Sequence, residues 1–117
     1  MSGEPSYLEL GVPDVAAARA FYGPLLGWEP QAMGGGASVA TPTLGIGIHG
    51  GDDERLFEVF FAVPDLDAAM GQVVSLGGAL IGDVHDSEGF GRWVECRDDQ
   101  GVRFGLRQAV DPGTRGH

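Results

Sequence analysis

Val12-Pro13-Asp14-Val15 returns as Val63-Pro64-Asp65-Leu66, and that recurrence decides the architecture. The same shift of 51 residues carries Ala17-Ala18 onto Ala68-Ala69, Leu25 onto Leu76 and Gly27 onto Gly78. Self-similarity of this kind marks a duplicated supersecondary unit. Outward from the two Pro-Asp pairs, residues 7–12 and 58–63 alternate apolar with other residues. That pattern predicts strands carrying Leu8, Leu10, Val12 and Val59, Phe61, Val63 each on one face. Pro13 and Pro64 end these strands, and Asp14 and Asp65 are suited to cap the helices that follow. Val15, Ala18, Phe21, Tyr22, Leu25 and Leu26 then fall at helical spacing, as do Leu66, Ala69, Met70, Val73, Val74 and Leu76. Gly27 and Gly77-Gly78 supply left-handed helix ends. Three short strands are expected after each helix, near 28–33, 37–41 and 43–49, and near 79–85, 91–97 and 102–107.

The reading is an α+β chain of two βαβββ modules, about 6–50 and 56–108, in a single domain over 1–110. Residues 111–117 are expected to be a flexible tail. A chain of 117 residues that is 43% apolar is long enough to bury a core. Its net charge of -10 repels phosphate backbones and anionic lipid surfaces, so neither nucleic acid nor membrane is an expected partner. No apolar run approaches the roughly 20 residues of a membrane helix, and no signal peptide is visible at Met1-Ser2-Gly3-Glu4-Pro5. Cys96 is the single cysteine and reads as a buried strand thiol, so a reducing, cytoplasmic setting is expected.

Leu10-Gly11-Val12-Pro13-Asp14 through Phe21-Tyr22-Gly23-Pro24-Leu25-Leu26-Gly27-Trp28 resembles the opening signature of the vicinal-oxygen-chelate superfamily, the glyoxalase and bleomycin-resistance group. Asp98-Asp99-Gln100-Gly101-Val102-Arg103-Phe104-Gly105-Leu106 is similar to that group's closing turn and last strand. Phe90-Gly91-Arg92-Trp93 is similar to a Phe-Gly-Arg segment of members that include hydroxylases. The resemblance covers residues 6–108 and implies curved, cup-shaped mixed sheets and a homodimer. It also implies four metal-ligand positions, which fall here on Tyr7, on the strand with Gly45 and Gly47, on Glu58 and on Gly105. Glycine offers no donor and neutral tyrosine is a poor ligand, so no metal and no cofactor are expected. His49 and His85 each close an apolar strand and read as solvated strand-end histidines.

Strand parity assigns the faces. With Leu8, Leu10 and Val12 against the helix, Tyr7 and Glu9 point the other way, as Glu58 and Phe60 do in the second module. Trp93, Glu95 and Arg103 join them from the closing strands. Tyr7, Phe60, Trp93, Glu95 and Arg103 are thus the expected ligand-binding residues, a lining suited to a planar organic ligand, and a cationic aromatic one would suit the acidic balance. Glu58 and Glu9 lie in apolar strands where charge is costly unless paired or used, which makes them candidate general bases. Arg103 or Arg107 is expected to pair with Glu95 or Glu58. Two functions share this lining. One is a metal-independent module that binds a small aromatic ligand. The other is a cofactor-free oxygenase, hydroxylase or isomerase acting on an aromatic or polyketide-like substrate, with a divalent-metal lyase or dioxygenase opposed by the ligand positions.

Overall fold

The computed structural model describes residues 3–51 and 55–108, so the tail expected at 111–117, and His117 with it, lies outside the described residues. The elements run β1 (Pro5–Gly11), α1 (Val15–Leu26), β2 (Gln31–Met33), β3 (Gly36–Ala40) and β4 (Gly45–His49). They repeat as β5 (Leu56–Ala62), α2 (Leu66–Ser75), β6 (Ala79–Ser87), β7 (Gly91–Arg97) and β8 (Arg103–Gln108). The chain is α+β, built as two βαβββ modules. It forms two compact units, residues 6–59 in one and residues 60–108 with 3–5 in the other.

The first module has strand order β2-β3-β4-β1, with β1 parallel to β4 in the register Tyr7↔Gly45, Glu9↔Gly47 and Gly11↔His49. Leu10, Ala37, Val39, Ile46 and Ile48 bury against Ala18 of α1, with Leu8, Val12, Val15, Tyr22 and Trp28 around them. Because residues alternate across a strand, Tyr7, Glu9, Gly45, Gly47 and His49 all fall on the opposite face. The second module has strand order β5-β8-β7-β6, with Phe60↔Gly105 in the parallel pair. Leu66 of α2 buries against Val94, Cys96 and Leu106, with Phe61, Met70, Val73 and Phe104 alongside. Phe60, Trp93, Glu95, Arg103, Gly105 and Arg107 stand on the other face.

Both helices begin as the repeat requires. Asp14 Oδ1 accepts from the Ala17 amide and Asp65 Oδ1 from the Ala68 amide, each at 3.1 Å, and both caps have extended backbone. Gly27 and Gly77 take the left-handed conformation that ends each helix, with φ of 72° and 97°.

The helix faces depart from expectation. Phe21, Leu25 and Leu26 of α1 are 63%, 63% and 52% exposed, and Val74 and Leu76 are exposed as well. Their spacing made an apolar stripe wider than the one strip of sheet each helix covers. β6 also runs past its expected end to Ser87, through an irregularity between Ile81 and His85 where Gly82 has φ of 70°.

Candidate functional site

In the first module the face of β1 and β4 opposite α1 is shaped by two glycines. The Tyr7 ring lies over Gly45, its Cδ1 3.6 Å from where a Cβ would stand. A Cβ on Gly47 would collide with the Tyr7 hydroxyl and with Glu9 Oε1, so both oxygens reach the same point above β4. The other carboxylate oxygen, Glu9 Oε2, lies 2.6 Å from His49 Nδ1. A carboxylate can only accept, so Nδ1 carries the hydrogen and the contact is a short, charge-assisted bond. The side chains are 22% and 44% exposed, which leaves the imidazole open to solvent while Glu9 is largely covered. His49 thus closes β4 with its side chain partly in solvent, as expected of a strand-end histidine, and the structure adds its pairing with Glu9. Its partner is 40 positions away in sequence, brought near by the parallel β1–β4 register.

Glu58, on the part of β5 within the same compact unit, is 1% exposed. It is the buried charged residue among those described. Alternation in an apolar strand sends it to a covered face, where an acid is held only by polar contacts.

The second module gathers aromatic rings. Phe60, Phe90 and Trp93 meet edge to face in a triangle, with centroids 6.2, 5.7 and 6.4 Å apart. Such geometry aligns ring edges with ring faces and fixes all three planes. His85, directly opposite Trp93 in the β6–β7 ladder, stacks on the indole at 4.3 Å, and Trp93 Nε1 donates to Ser87 Oγ at 3.0 Å. Arg107, the other cross-strand neighbour of Trp93, holds its guanidinium 4.0 Å above the Phe90 ring and donates from Nε to the Phe90 carbonyl. Arg103 Nη2 donates to Glu95 Oε2 at 2.8 Å, one of the pairings expected. Phe60 can lie flat across β8 only because Gly105 has no side chain, since a Cβ there would run into the ring.

Each candidate residue therefore has a place. Tyr7 and Glu9 share one face of the first module, and Phe60, Trp93, Glu95 and Arg103 share one face of the second. His85, Phe90 and Arg107 complete the aromatic group, and sequence reasoning did not assign them there. His85 had been placed at a strand end, but the longer β6 brings it into the ladder opposite Trp93. A shallow groove of about 600 Å³ beside α1, lined by Ala16, Arg19, Ala20, Pro24 and Trp28 among others, contains none of these residues.

The metal implied by the resemblance does not fit these side chains. Two of its four expected positions are glycines overlaid by aromatic rings, Tyr7 across Gly45 and Gly47 and Phe60 across Gly105. Among the described residues no group of three or more His, Cys, Asp or Glu side chains converges in a way that holds a metal ion.

The sequence matches the glyoxalase-like domain family over residues 7–107. An anthracycline biosynthesis protein of Streptomyces peucetius, DnrV, is 31% identical over an alignment that takes in 96% of this chain and 50% of that protein, so the chain spans about half its length. Methylmalonyl-CoA epimerase of Mycobacterium tuberculosis shares the fold with a TM-score of 0.67 at 20% identity, over 97% of this chain and 92% of that one. Homoprotocatechuate 2,3-dioxygenase of Brevibacterium fuscum does so with a TM-score of 0.72 at 19% identity, over 93% of this chain and 38% of that one. No helix among the described residues is long and apolar enough to cross a membrane. With its family matched across both βαβββ modules, the chain belongs to the glyoxalase-like domain family.

Proposed function

We propose that this protein binds a planar aromatic organic ligand without a metal ion, and that the face of the second module opposite α2 is where the ligand stacks. The observation that carries the reading is the Phe60–Phe90–Trp93 triangle with His85 stacked on Trp93. Aromatic side chains locked in orientation by each other, and by the Ser87 and Arg107 contacts, lose little freedom when a flat ligand joins them. Glu95 and Arg103 add a polar pair on the same face. The relatives named for anthracycline biosynthesis favour an aromatic, polyketide-like molecule as that ligand.

The test is equilibrium dialysis against a hydroxylated anthraquinone with a metal chelator present throughout. Retained binding is expected, and Trp93→Ala should weaken it by about 1–3 kcal/mol, as for a central aromatic anchor. Trp28, which stacks on Tyr22 in the core beside α1, should tolerate replacement by Phe with no loss of affinity. Binding that disappears with the chelator, or that ignores Trp93, would sink the reading.

A second reading, favoured by the burial of Glu58, is a cofactor-free enzyme of oxygenase, hydroxylase or isomerase type with Glu58 or Glu9 as base. A carboxylate removed from water is the kind of group that takes a proton from carbon or oxygen. Glu58→Gln separates the readings: turnover lost with binding kept marks a base, and binding lost with no turnover in the parent marks an anchor.

A further inference from the structure

We propose that His85 is a removable cover on Trp93: its imidazole holds the indole face that the ligand takes, and the ligand binds by turning His85 out and stacking in its place. The inference rests on the reading of the second module as an aromatic-ligand site. It goes beyond that reading by naming the receiving face and the kind of ring system that can reach it.

Three observations support it. Phe60 and Phe90 meet the indole edge to face, at 78° and 85°, whereas His85 lies nearly parallel to it, at 24° with centroids 4.3 Å apart. A flat ligand stacks on a parallel face, and the parallel neighbour already there is the imidazole. Position is the second observation. Trp93 stands between Arg107 on β8 and His85 on β6, and β6 is the edge strand, so the open end of this row of side chains is the His85 end. The third is how lightly the imidazole is held. His85 is exposed while Trp93 is half-buried, and among the described residues the imidazole makes no hydrogen bond or ion pair besides its stack. Between the pairs Ile81↔Glu95 and His85↔Trp93, β6 advances four residues (81 to 85) and β7 two (95 to 93), so the strand beside His85 has slack that a regular ladder lacks.

Exchanging one stacked ring for another sets a threshold. The ligand gains only by the extent to which its own stack on Trp93 exceeds that of the imidazole. A fused planar polycycle covers the indole more fully than an imidazole does, whereas a single small ring gains next to nothing. The cover thus admits fused polycyclic aromatics and turns single rings away.

The experiment uses the intact protein and a hydroxylated anthraquinone at one fixed pH, with affinity from equilibrium dialysis and His85 followed by proton NMR. In the free protein the His85 ring protons, assigned by their loss in His85→Gln, should be displaced by the ring current of the indole. Saturating probe should return them to the positions of a solvated histidine. His85→Ala removes the cover and should raise affinity about two- to tenfold, the scale of one aromatic pair. His85→Phe places a larger stacking ring there and should lower it. A ligand that stacks instead on the outer face of His85 reverses both signs and moves the ring protons further from the solvated positions. Either reversal, or an affinity indifferent to both substitutions, overturns the cover and leaves the aromatic reading standing. A probe bound by neither the parent nor His85→Ala overturns both. Each variant is checked by its thermal midpoint, and the ring-proton shift in the parent decides without any variant.

Discussion

Gly105 and Gly47 look alike in sequence, yet what stands in the missing side-chain space differs, and so should the cost of filling it. Above Gly105 is the Phe60 ring, 3% exposed and held by Phe90 and Trp93. A ring so confined cannot step aside, so Gly105→Ala is expected to cost roughly 1–3 kcal/mol in urea unfolding. Phe60→Leu should relieve part of it, making the double substitution less damaging than the two single ones summed. Above Gly47 are the far ends of Tyr7 and Glu9, both half-buried, so Gly47→Ala must displace side-chain tips and not a packed ring, and should cost less than Gly105→Ala. Strand parity, legible in the sequence, put Tyr7 with Glu9, and Phe60 with Trp93, on the strand faces opposite the helices, where the ladders also have them. Their partners were not legible. Glu9 meets His49 and Trp93 meets His85 through registers set by strand pairing, which a pattern of alternation does not specify.

At the level of elements, the recurrence that opened the sequence reappears as chemistry. Asp14 and Asp65 cap their helices through the same bond to the third residue on, at the same 3.1 Å. Replacing either by Ala should lower stability by about 0.5–2 kcal/mol. The two sites lie in different compact units, so the effects should add in chemical denaturation. Helices and strands were readable because Pro, Asp and Gly punctuate them in chemical terms. The burial of the helices was not, since an apolar stripe tells that something covers it but not how much. Phe21, Leu25 and Leu26 show the difference. Likewise β6 outran its expected limit at residue 85 because the pairs Asp86↔Arg92 and Ser87↔Gly91 carry the ladder into the turn itself, which residue types alone do not announce.

For the whole molecule, those exposed side chains of α1 bear on assembly. We propose a homodimer, supported by the apolar surface that Phe21, Leu25 and Leu26 present. Sedimentation at micromolar concentration should show a dimer for the parent and a monomer for Leu25→Asp, while a monomeric parent would count against it. Cys96 carries a different consequence. It is the chain's one thiol, it is 0% exposed, and it sits in the core of the second module beside Leu66 and Val94. Only a thiolate reacts with a disulfide reagent, and here none is reachable until β7 separates from its neighbours. The protein thus contains its own clock for transient opening, and the clock is wound to one module. Labelling should be slowed at least 1,000-fold relative to a small free thiol, about 4 kcal/mol of opening free energy. If the modules open separately, Asp65→Ala should hasten labelling several-fold while Asp14→Ala leaves its pace unchanged. Equal acceleration by both would mean that the two halves of this duplicated chain breathe as one.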